Sequence, residues 1–329
     1  MLARYLSAIK IMLLPALATC ALLLGQHAMA ASVSCQASMT DVNFGVVDFL
    51  HATAPASNTG TLSYQCTNHS STTQYVNACF YLDNAPLASA PWLAMHHQSG
   101  AKMLFRLKNG ASGEYWGSRA AQLPLRVALT LSAQRTVNSN LSIRGELAAE
   151  QKSLPAGSYL LAFNGESSSI TWSESPLTMP SNCAEQSGAQ AINFVASAGI
   201  DKSCRIFAQE LDFGDITMFE NRNVDAQSNI SVECTSDTQY NIALRSISEQ
   251  SGQFFYLYPL SGPDNVKIGY MLYQDAARTL LWSDRTNAKS AIGTGSVQLH
   301  PVYGRLAAGQ ATYARPGVYQ DTVIVTLSF

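Results

Sequence analysis

The feature that most constrains the fold is a short frame of residues that occurs twice in the chain. Residues 35–45 read CQASMTDVNFG and residues 204–214 read CRIFAQELDFG, with Cys and Phe-Gly at the same spacing. A second cysteine closes each copy, Cys66 in the first and Cys234 in the second, after a stretch that alternates apolar and polar residues. Such alternation is typical of a half-buried strand. Each copy therefore predicts a strand, a bend at glycine, a loop and another strand.

The downstream parts of the two copies also match. Residues 144–149 read RGELAA and residues 303–308 read YGRLAA, and each is followed by a short Pro-containing segment that ends in Gly-x-Tyr. Short alternating runs between Gly, Pro and Asn turns favour antiparallel β-sandwiches. We therefore expect an all-β chain of two similar domains. The expected boundaries are an N-terminal domain at 31–183, a linker at 184–203 and a C-terminal domain at 204–329.

The N-terminus has the pattern of an export signal. A positively charged start precedes an apolar run at 11–24, and Ala28-Met29-Ala30 forms a small-x-small cleavage site. This pattern predicts a signal peptide at residues 1–30 that is removed on export. A lipoprotein signal ending at Cys20 is a weaker alternative, because the residue before that cysteine fits a lipobox poorly.

The cysteines indicate disulfide bonds. The chain has 7 Cys, and removal of Cys20 with the signal leaves an even number, as expected of a disulfide-bonded exported protein. The repeat pairs the two cysteines that bound each copy, and the third pair then follows by elimination. The expected pairs are Cys35–Cys66, Cys204–Cys234 and Cys79–Cys183.

The composition argues against several classes of function. The formal net charge is −2 and charged residues make up 13% of the chain, whereas a nucleic-acid partner requires a clustered basic surface. His96-His97 has no third ligand at a metal-binding spacing. Nucleophile-elbow and phosphate-loop motifs are absent from the sequence. We therefore expect no enzyme activity, no metal or other cofactor, and no nucleic-acid partner.

The two copies end differently. In the first, residues 159–163 run into Asn164-Gly165, a hairpin signal, and residues 170–172 can return beside them and complete the sheet. In the second, residues 322–329 form a strand after which no returning strand is expected. Its apolar face comprises Val323, Val325, Leu327 and Phe329. An open edge beside an apolar face favours acceptance of a strand from another chain, although an ordinary edge, or a strand covered by an earlier segment, is equally compatible with the pattern.

The Cys…Phe-Gly…Cys frame and residues 316–327, PGVYQDTVIVTL, resemble the spore coat protein U domain family. The resemblance covers residues 204–329 well and 35–165 more loosely, and Gly-x-Tyr-x-Asp-Thr-Val is its most specific part. Members are subunits of archaic, Csu-type chaperone–usher pili. The resemblance implies immunoglobulin-like sandwiches, the second of which is incomplete. A periplasmic pilus chaperone would fill the gap first, and the N-terminal donor strand of the next pilin subunit would replace it at the outer-membrane usher.

The same resemblance implies which subunit this is. Only residues 31–34 precede Cys35 in the expected mature chain, which is too short to donate a strand. The chain therefore resembles the two-domain tip adhesin of such pili, exported through the periplasm to the extracellular pilus tip. Its C-terminal domain would accept a strand, and its N-terminal domain would mediate surface attachment and biofilm formation.

Two apolar, turn-rich segments are candidate binding loops. Residues 84–95 read NAPLASAPWLAM and residues 175–180 read SPLTMP. Prolines disfavour a central strand, and exposed apolar loops usually mark an interaction site. They are similar to the hydrophobic finger-like loops with which the family's tip adhesin attaches to abiotic surfaces. The predicted surface-binding residues are Pro91, Trp92, Leu93, Ala94, Met95, Leu177 and Met179.

Three alternatives stay open from the sequence. Trp92 and Leu93 are compatible with a place in the core. A host glycan is a possible ligand if Trp116 stacks on a sugar, but the matching Trp282 in the second copy favours a structural role for both. A secreted coat protein with two structural domains is the remaining alternative.

Overall fold

The duplicated Phe-Gly frame folds in the same way in both copies of this computed structural model. Gly45 and Gly214 have φ angles of +70° and +73°, which glycine adopts without steric cost. Each glycine donates its backbone N–H to the side chain two residues earlier, Asn43 in one copy and Asp212 in the other, at 2.8 Å. The glycine is therefore required by the turn itself.

The structure describes residues 32–51, 56–83, 92–165, 167–183, 188–217, 222–248, 250–261, 266–309 and 314–329. The predicted signal peptide and Pro91 lie outside these ranges. Residues from Ser32 onward form one compact unit that contains two pairs of β-sheets.

The first pair of sheets uses residues 33–200. Its strands are β1 Val33–Met39, β2 Val42–Val46, β3 Ser57–Asn68, β4 Gln74–Leu82, β5 Leu93–His96, β6 Lys102–Asn109, β7 Leu125–Leu131, β8 Thr136–Leu147, β9 Gly157–Phe163, β10 Ser168–Ser175, β11 Gly188–Ala191 and β12 Phe194–Ile200. One sheet has the order β1-β3-β8-β6-β5-β9-β12-β2 and the other β11-β10-β4-β7. Both contribute to one core, in which Phe105 of the first sheet and Phe80 of the second are fully buried. This is the first sandwich.

The second pair of sheets uses residues 204–328. Its strands are β13 Cys204–Ala208, β14 Val224–Cys234, β15 Gln239–Ser246, β16 Gln250–Ser251, β17 Phe254–Pro259, β18 Ile268–Tyr273, β19 Lys289–Ile292, β20 Gln298–Leu306, β21 Tyr319–Gln320 and β22 Val323–Ser328. One sheet has the order β13-β14-β20-β18-β17-β16, with β21 on β17, and the other β19-β15-β22. Their shared core includes Ile230, Ile242 and Trp282. This is the second sandwich, and the predicted all-β fold of two immunoglobulin-like sandwiches is confirmed.

The stretch expected to be a linker contains two strands of the first sandwich. β11 pairs with β10, and β12 then pairs antiparallel with β9 and parallel with β2. Phe194, Ala196, Ala198 and Ile200 point into the core, so the small residues of this stretch pack beside other strands. The Asn164-Gly165 turn also differs from the expected hairpin, because it leads from β9 in one sheet to β10 in the other.

The three disulfide pairs are confirmed. Cys35–Cys66 and Cys204–Cys234 each join two neighbouring strands at directly paired positions. Cys79–Cys183 joins β4 to the segment after β10. The pairing by repeat works because both copies place the two strands that carry these cysteines side by side.

The two sandwiches contact each other around one buried acid. Glu233 on β14 is 3% exposed and accepts from Lys152 of the first sandwich at 3.3 Å and from Arg205 of the second. A parallel bridge between Pro155 and Ser236 adds a backbone contact beside it. Because a buried carboxylate needs its partners, this pairing favours a fixed joint between the sandwiches.

Candidate functional site

β10 and β22 occupy matching places in the two sandwiches but have different neighbours. β10 lies between β4 and β11, and its residues from Ser168 to Ser173 are all buried. β22 pairs with β15 alone, and within the described residues no strand lies along its other edge. The inward-facing Val323, Val325 and Leu327 remain only half-buried, and Phe329 is 55% exposed. The position that β11 takes in the first sandwich is thus open in the described part of the second.

The segment opposite this edge is also less covered in the second sandwich. In the first, Val42 and Phe44 lie on β2, which pairs with β12, and are 0% and 9% exposed. Their counterparts Leu211 and Phe213 contact the same glycine position, Gly304, but are only half-buried. The two segments contact the matching glycine in the same way, so the difference in their burial follows from β12, which pairs with this segment in the first sandwich only, within the described residues.

Asp321 fixes the start of β22. Its two carboxylate oxygens accept from Ser246 of β15 and from Tyr270 of β18, each at 2.8 Å, so one side chain joins the two sheets. Burial, together with the hydrogen bond to Asp321, raises the pKa of Tyr270 far above its ordinary value and keeps the phenol a donor. This explains why an acid stands before Thr-Val in the C-terminal motif.

The predicted binding loop after β10 is exposed. Leu177 is 82% exposed and Met179 37% exposed. The backbone N–H groups of Leu177 and Thr178 donate to Ser175 Oγ, which forms a polar turn at the base of the loop. The structure therefore presents two apolar side chains to solvent where the sequence predicted them.

The other predicted loop is largely a strand. Leu93 and Met95 lie on β5 and are 2% and 0% exposed, so they belong to the core and do not form a binding surface. Ala94 is half-buried on the outer face of the same strand. The error came from the prolines before Trp92, which obscured a period-two pattern that starts at Leu93.

Trp92 is half-buried, and its ring is part of a stack on the outside of the first sandwich. The Arg106 guanidinium carbon lies 4.8 Å from the Trp92 ring centroid and 4.9 Å from that of Tyr115. Arg106 also donates to Glu146 through Nε and Nη2, at 3.2 and 3.1 Å. The stack therefore holds Trp92 in place, directly before β5 begins at Leu93.

Glu146 is the anion of a larger cluster. It pairs with Arg106, with Lys108 at 2.6 Å and with Arg144 at 3.2 Å. Burial alone would raise the pKa of Glu146, but hydrogen bonds from Lys108 and Arg106 outweigh it and lower that pKa below its usual value. One carboxylate is shared by three cations, which leaves this surface with excess positive charge.

The tryptophan considered for sugar stacking is in the core. Trp116 is 0% exposed and stacks on Phe194 of β12 with centroids 5.8 Å apart. Trp282 is also 0% exposed and donates its indole N–H to Ile242 O at 2.9 Å. The structural interpretation of this pair is confirmed.

Two absences hold for the described ranges. They contain no cluster of three or more His, Cys, Asp or Glu side chains placed to bind a metal ion. They also contain no helix that is long and apolar enough to span a membrane.

Sequence comparison identifies the repeated unit. The profile of the Spore Coat Protein U domain matches residues 21–161 and again residues 190–326, which together make up most of the chain. The chain belongs to the Spore Coat Protein U domain family. The second match includes the open edge of β22, and the first includes β1 to most of β9. No curated protein matches this member of the family by sequence.

Several solved structures are similar to this Spore Coat Protein U domain protein, one of them with a TM-score above 0.5. A chaperone–tip adhesion subunit pre-assembly complex, CsuC–CsuE of Acinetobacter baumannii archaic chaperone–usher Csu pili, matches with a TM-score of 0.51 and 17% identity, over 90% of this chain and 100% of that one. The CupB6 tip adhesin of Pseudomonas aeruginosa gives 0.38 and 12%, over 89% and 93%. CfaE of enterotoxigenic Escherichia coli gives 0.33 and 9%, over 88% and 97%.

The sequence interpretation missed two groups of residues. Asp321 carried a signal, since a lone acid in an apolar motif needs a partner. The stack of Trp92, Arg106 and Tyr115 carried none, because its members meet only through the pairing of β5 with β6 and the bridge between Lys108 and Tyr115.

Proposed function

We propose that this protein is the tip adhesin of an archaic chaperone–usher pilus and that its second sandwich accepts a donor strand. The observation that carries the proposal is the contrast between the sandwiches. Residues 188–200 complete the first sandwich along β10 and β9. The matching edge of β22 is open in the described part of the second. The second sandwich would therefore bind first a periplasmic pilus chaperone and then, at the outer-membrane usher, the N-terminal donor strand of the next subunit.

The N-terminal residues of the described chain support a position at the tip. Ser32 donates its N–H to Glu174 at 2.8 Å and accepts from His69 N–H at 2.8 Å. Trp172 donates its indole N–H to Val33 O at 3.1 Å. Because these residues are bound within their own sandwich, they are not free to enter a neighbouring subunit. The proposed domain boundary then falls at residues 201–203, after β12.

The proposed attachment surface centres on the loop after β10. Burial of a solvent-exposed Leu or Met side chain against an apolar surface contributes about 1.5–3 kcal/mol, and many tips on many pili act together. Leu177 and Met179 are proposed to make such contacts. Trp92 and Ala94, which strand pairing places toward the opposite end of the first sandwich, are proposed as a separate apolar contact. This chemistry fits attachment to abiotic, apolar surfaces and a role in biofilm formation. The chain would reach the cell surface after its signal peptide directs export and is removed.

The strand-acceptor part can be tested with the chain's own closing strand. A copy of residues 188–200, joined through a flexible linker after Phe329, is expected to pair with β22 and to close the second sandwich. This variant should be monomeric without a chaperone and should no longer bind one. A matched control carries the same segment with Phe194, Ala196, Ala198 and Ile200 replaced by Ser, and it should still require the chaperone. Identical behaviour of the two variants would contradict the open edge.

The attachment part has a separate test. Leu177→Ser with Met179→Ser should reduce retention on polystyrene without changing chaperone binding. The control Leu299→Ser removes a comparably exposed apolar side chain from the second sandwich and should leave retention unchanged. If the double variant were retained on polystyrene as strongly as the wild type, the loop would not be part of the attachment surface. A coat protein with two structural domains would show neither chaperone binding nor loop-dependent attachment.

A further inference from the structure

The outer face of the first sandwich differs from that of its sister at matching positions. One row across three strands consists of Ser38, Ser63 and Asn140, paired in register. The equivalent row of the second sandwich consists of Phe207, Ser231 and Leu299, in which Phe207 and Leu299 are 66% and 63% exposed. The fold therefore accepts apolar residues at these positions, and the polar row of the first sandwich needs another explanation.

The neighbouring row extends the polar face. Gln36 donates through Nε2 to Gln65 Oε1 at 2.6 Å, and Gln65 donates through Nε2 to Asn138 Oδ1 at 2.7 Å. A side-chain amide has two donor hydrogens and an acceptor oxygen, so such a chain leaves groups for a further partner. Together the two rows line a groove of about 570 Å³. Uncharged groups that both donate and accept are suited to the hydroxyls of a sugar.

Farther along the same strands, the face becomes cationic. Thr59 on β3 and Arg144 on β8 are paired four residues beyond the Ser63–Asn140 pair. At the rise of a β-strand, the two pairs are about 14 Å apart. Arg144 pairs with Lys108 on β6, and both contact Glu146, which Arg106 also contacts. Three cations and one carboxylate leave two positive charges uncompensated. In the second sandwich the positions of Arg144 and Lys108 are occupied by Tyr303 and Tyr273.

We propose that this face, from the groove to the Arg144–Lys108 cluster, binds an acidic polysaccharide whose sugar units carry carboxylates. Hydroxyls of the polymer meet the amide and hydroxyl rows, and its carboxylates pair with Arg144 and Lys108, since guanidinium groups bind carboxylates with two parallel hydrogen bonds. An acidic protein segment offers carboxylates but no array of hydroxyls to match the groove. The inference rests on the proposed function in one respect, the exposure of the first sandwich at the pilus tip.

The test measures binding of the full chain, purified from the periplasm, to immobilised alginate, a polyuronate. Neutral dextran and inorganic polyphosphate serve as comparison polymers. Lys108→Gln with Arg144→Gln removes the excess charge and keeps the Arg106 stack. Asn140→Asp places a negative charge in the groove at almost unchanged shape. Arg126→Gln removes an exposed cation from the opposite sheet and is the matched control.

We expect alginate binding to weaken roughly tenfold for each cation removed, the cost of a lost charge-assisted hydrogen bond. Asn140→Asp should weaken it as well, and Arg126→Gln should not. Binding to neutral dextran as strong as binding to alginate would show that the face does not recognise the charge of the polymer. Polyphosphate binding of equal strength, together with no effect of Asn140→Asp, would show an unspecific anion patch. Either result, or no binding to alginate, overturns the inference.

Failure of this inference is distinguishable from failure of the proposed function. All three variants keep the loop after β10 and the open edge of β22, so polystyrene retention and chaperone binding should stay at the wild-type level. Loss of alginate binding alone leaves the tip-adhesin proposal standing. Chaperone independence of the wild-type chain would contradict that proposal without affecting the polysaccharide measurement.

Discussion

Asp321 is the residue whose removal should most weaken the open edge of the second sandwich. Asp321→Ala removes two hydrogen bonds to a carboxylate and leaves the buried donors of Tyr270 and Ser246, 4% and 5% exposed, without it. Hydrogen bonds to charged groups contribute about 1.5–3 kcal/mol each, so the expected loss is about 3–6 kcal/mol. The loss should be local, because the carboxylate joins β15 and β18 at the point where β22 begins.

Amide hydrogen exchange followed by mass spectrometry measures this loss strand by strand. A loss of about 3 kcal/mol accelerates exchange roughly a hundredfold in peptides that cover β15 and β22. Peptides from the first sandwich should keep their rates. Asp225→Ala is the matched control, because Asp225 pairs with Arg305 and Arg278 on a partly exposed face, where ion pairs contribute about 0–1 kcal/mol. Exchange in β15 and β22 that rises no more in Asp321→Ala than in Asp225→Ala would refute the reasoning.

Three further predictions concern the rest of the chain. Replacement of Cys79 and Cys183 by Ala opens a loop with a sequence separation of 104 and should destabilise the first sandwich by about 4–5 kcal/mol, measured by denaturant unfolding; a midpoint unchanged from the oxidised wild type would contradict this. Gly145→Ala places a methyl group 2.8 Å from the ring of Phe44, on the strand beside β12, and should cost about 1–3 kcal/mol, whereas Gly304→Ala, 2.9 Å from Phe213 in the less covered second sandwich, should cost less; equal shifts in melting temperature would show that the open edge gives Phe213 no freedom to move. Because its pKa is lowered from 4.5, Glu146 contributes stability that is present above that value and is lost as pH falls through its lower folded-state value. The difference in unfolding midpoint between wild type and Glu146→Gln should therefore shrink as the pH falls below 4.5. A difference that persists at lower pH would show that another group is responsible.

The main features of the fold could be predicted because the repeat doubles each signal. Two Phe-Gly frames with flanking cysteines indicated two sandwiches and two of the disulfide pairs directly. β12 was missed because Phe194–Ile200 is rich in Ala, Ser and Gly, although Phe194, Ala196, Ala198 and Ile200 keep a period of two. Small residues suit a strand that packs closely between two others, and composition alone does not distinguish this from a linker.

The candidate sites were less predictable. The exposure of Leu177 followed from the turn residues around it, but the burial of Leu93 and Met95 depends on the pairing of β5 with β6. The Arg106 stack and the bridge from Asp321 to Tyr270 each join residues that only the pairing and packing of strands bring together. Such contacts depend on sheet order, which the local pattern does not contain.

The central claim is that the edge of β22 is an acceptor for another strand. The most direct measurement is co-expression of the mature chain with a pilus chaperone from the same operon, followed by purification through a tag on the chaperone. The account predicts a one-to-one complex that is lost on deletion of residues 322–329 and retained in Leu177→Ser with Met179→Ser. A soluble, monomeric chain that does not bind the chaperone would contradict the account, because it would show that the second sandwich closes its own sheet.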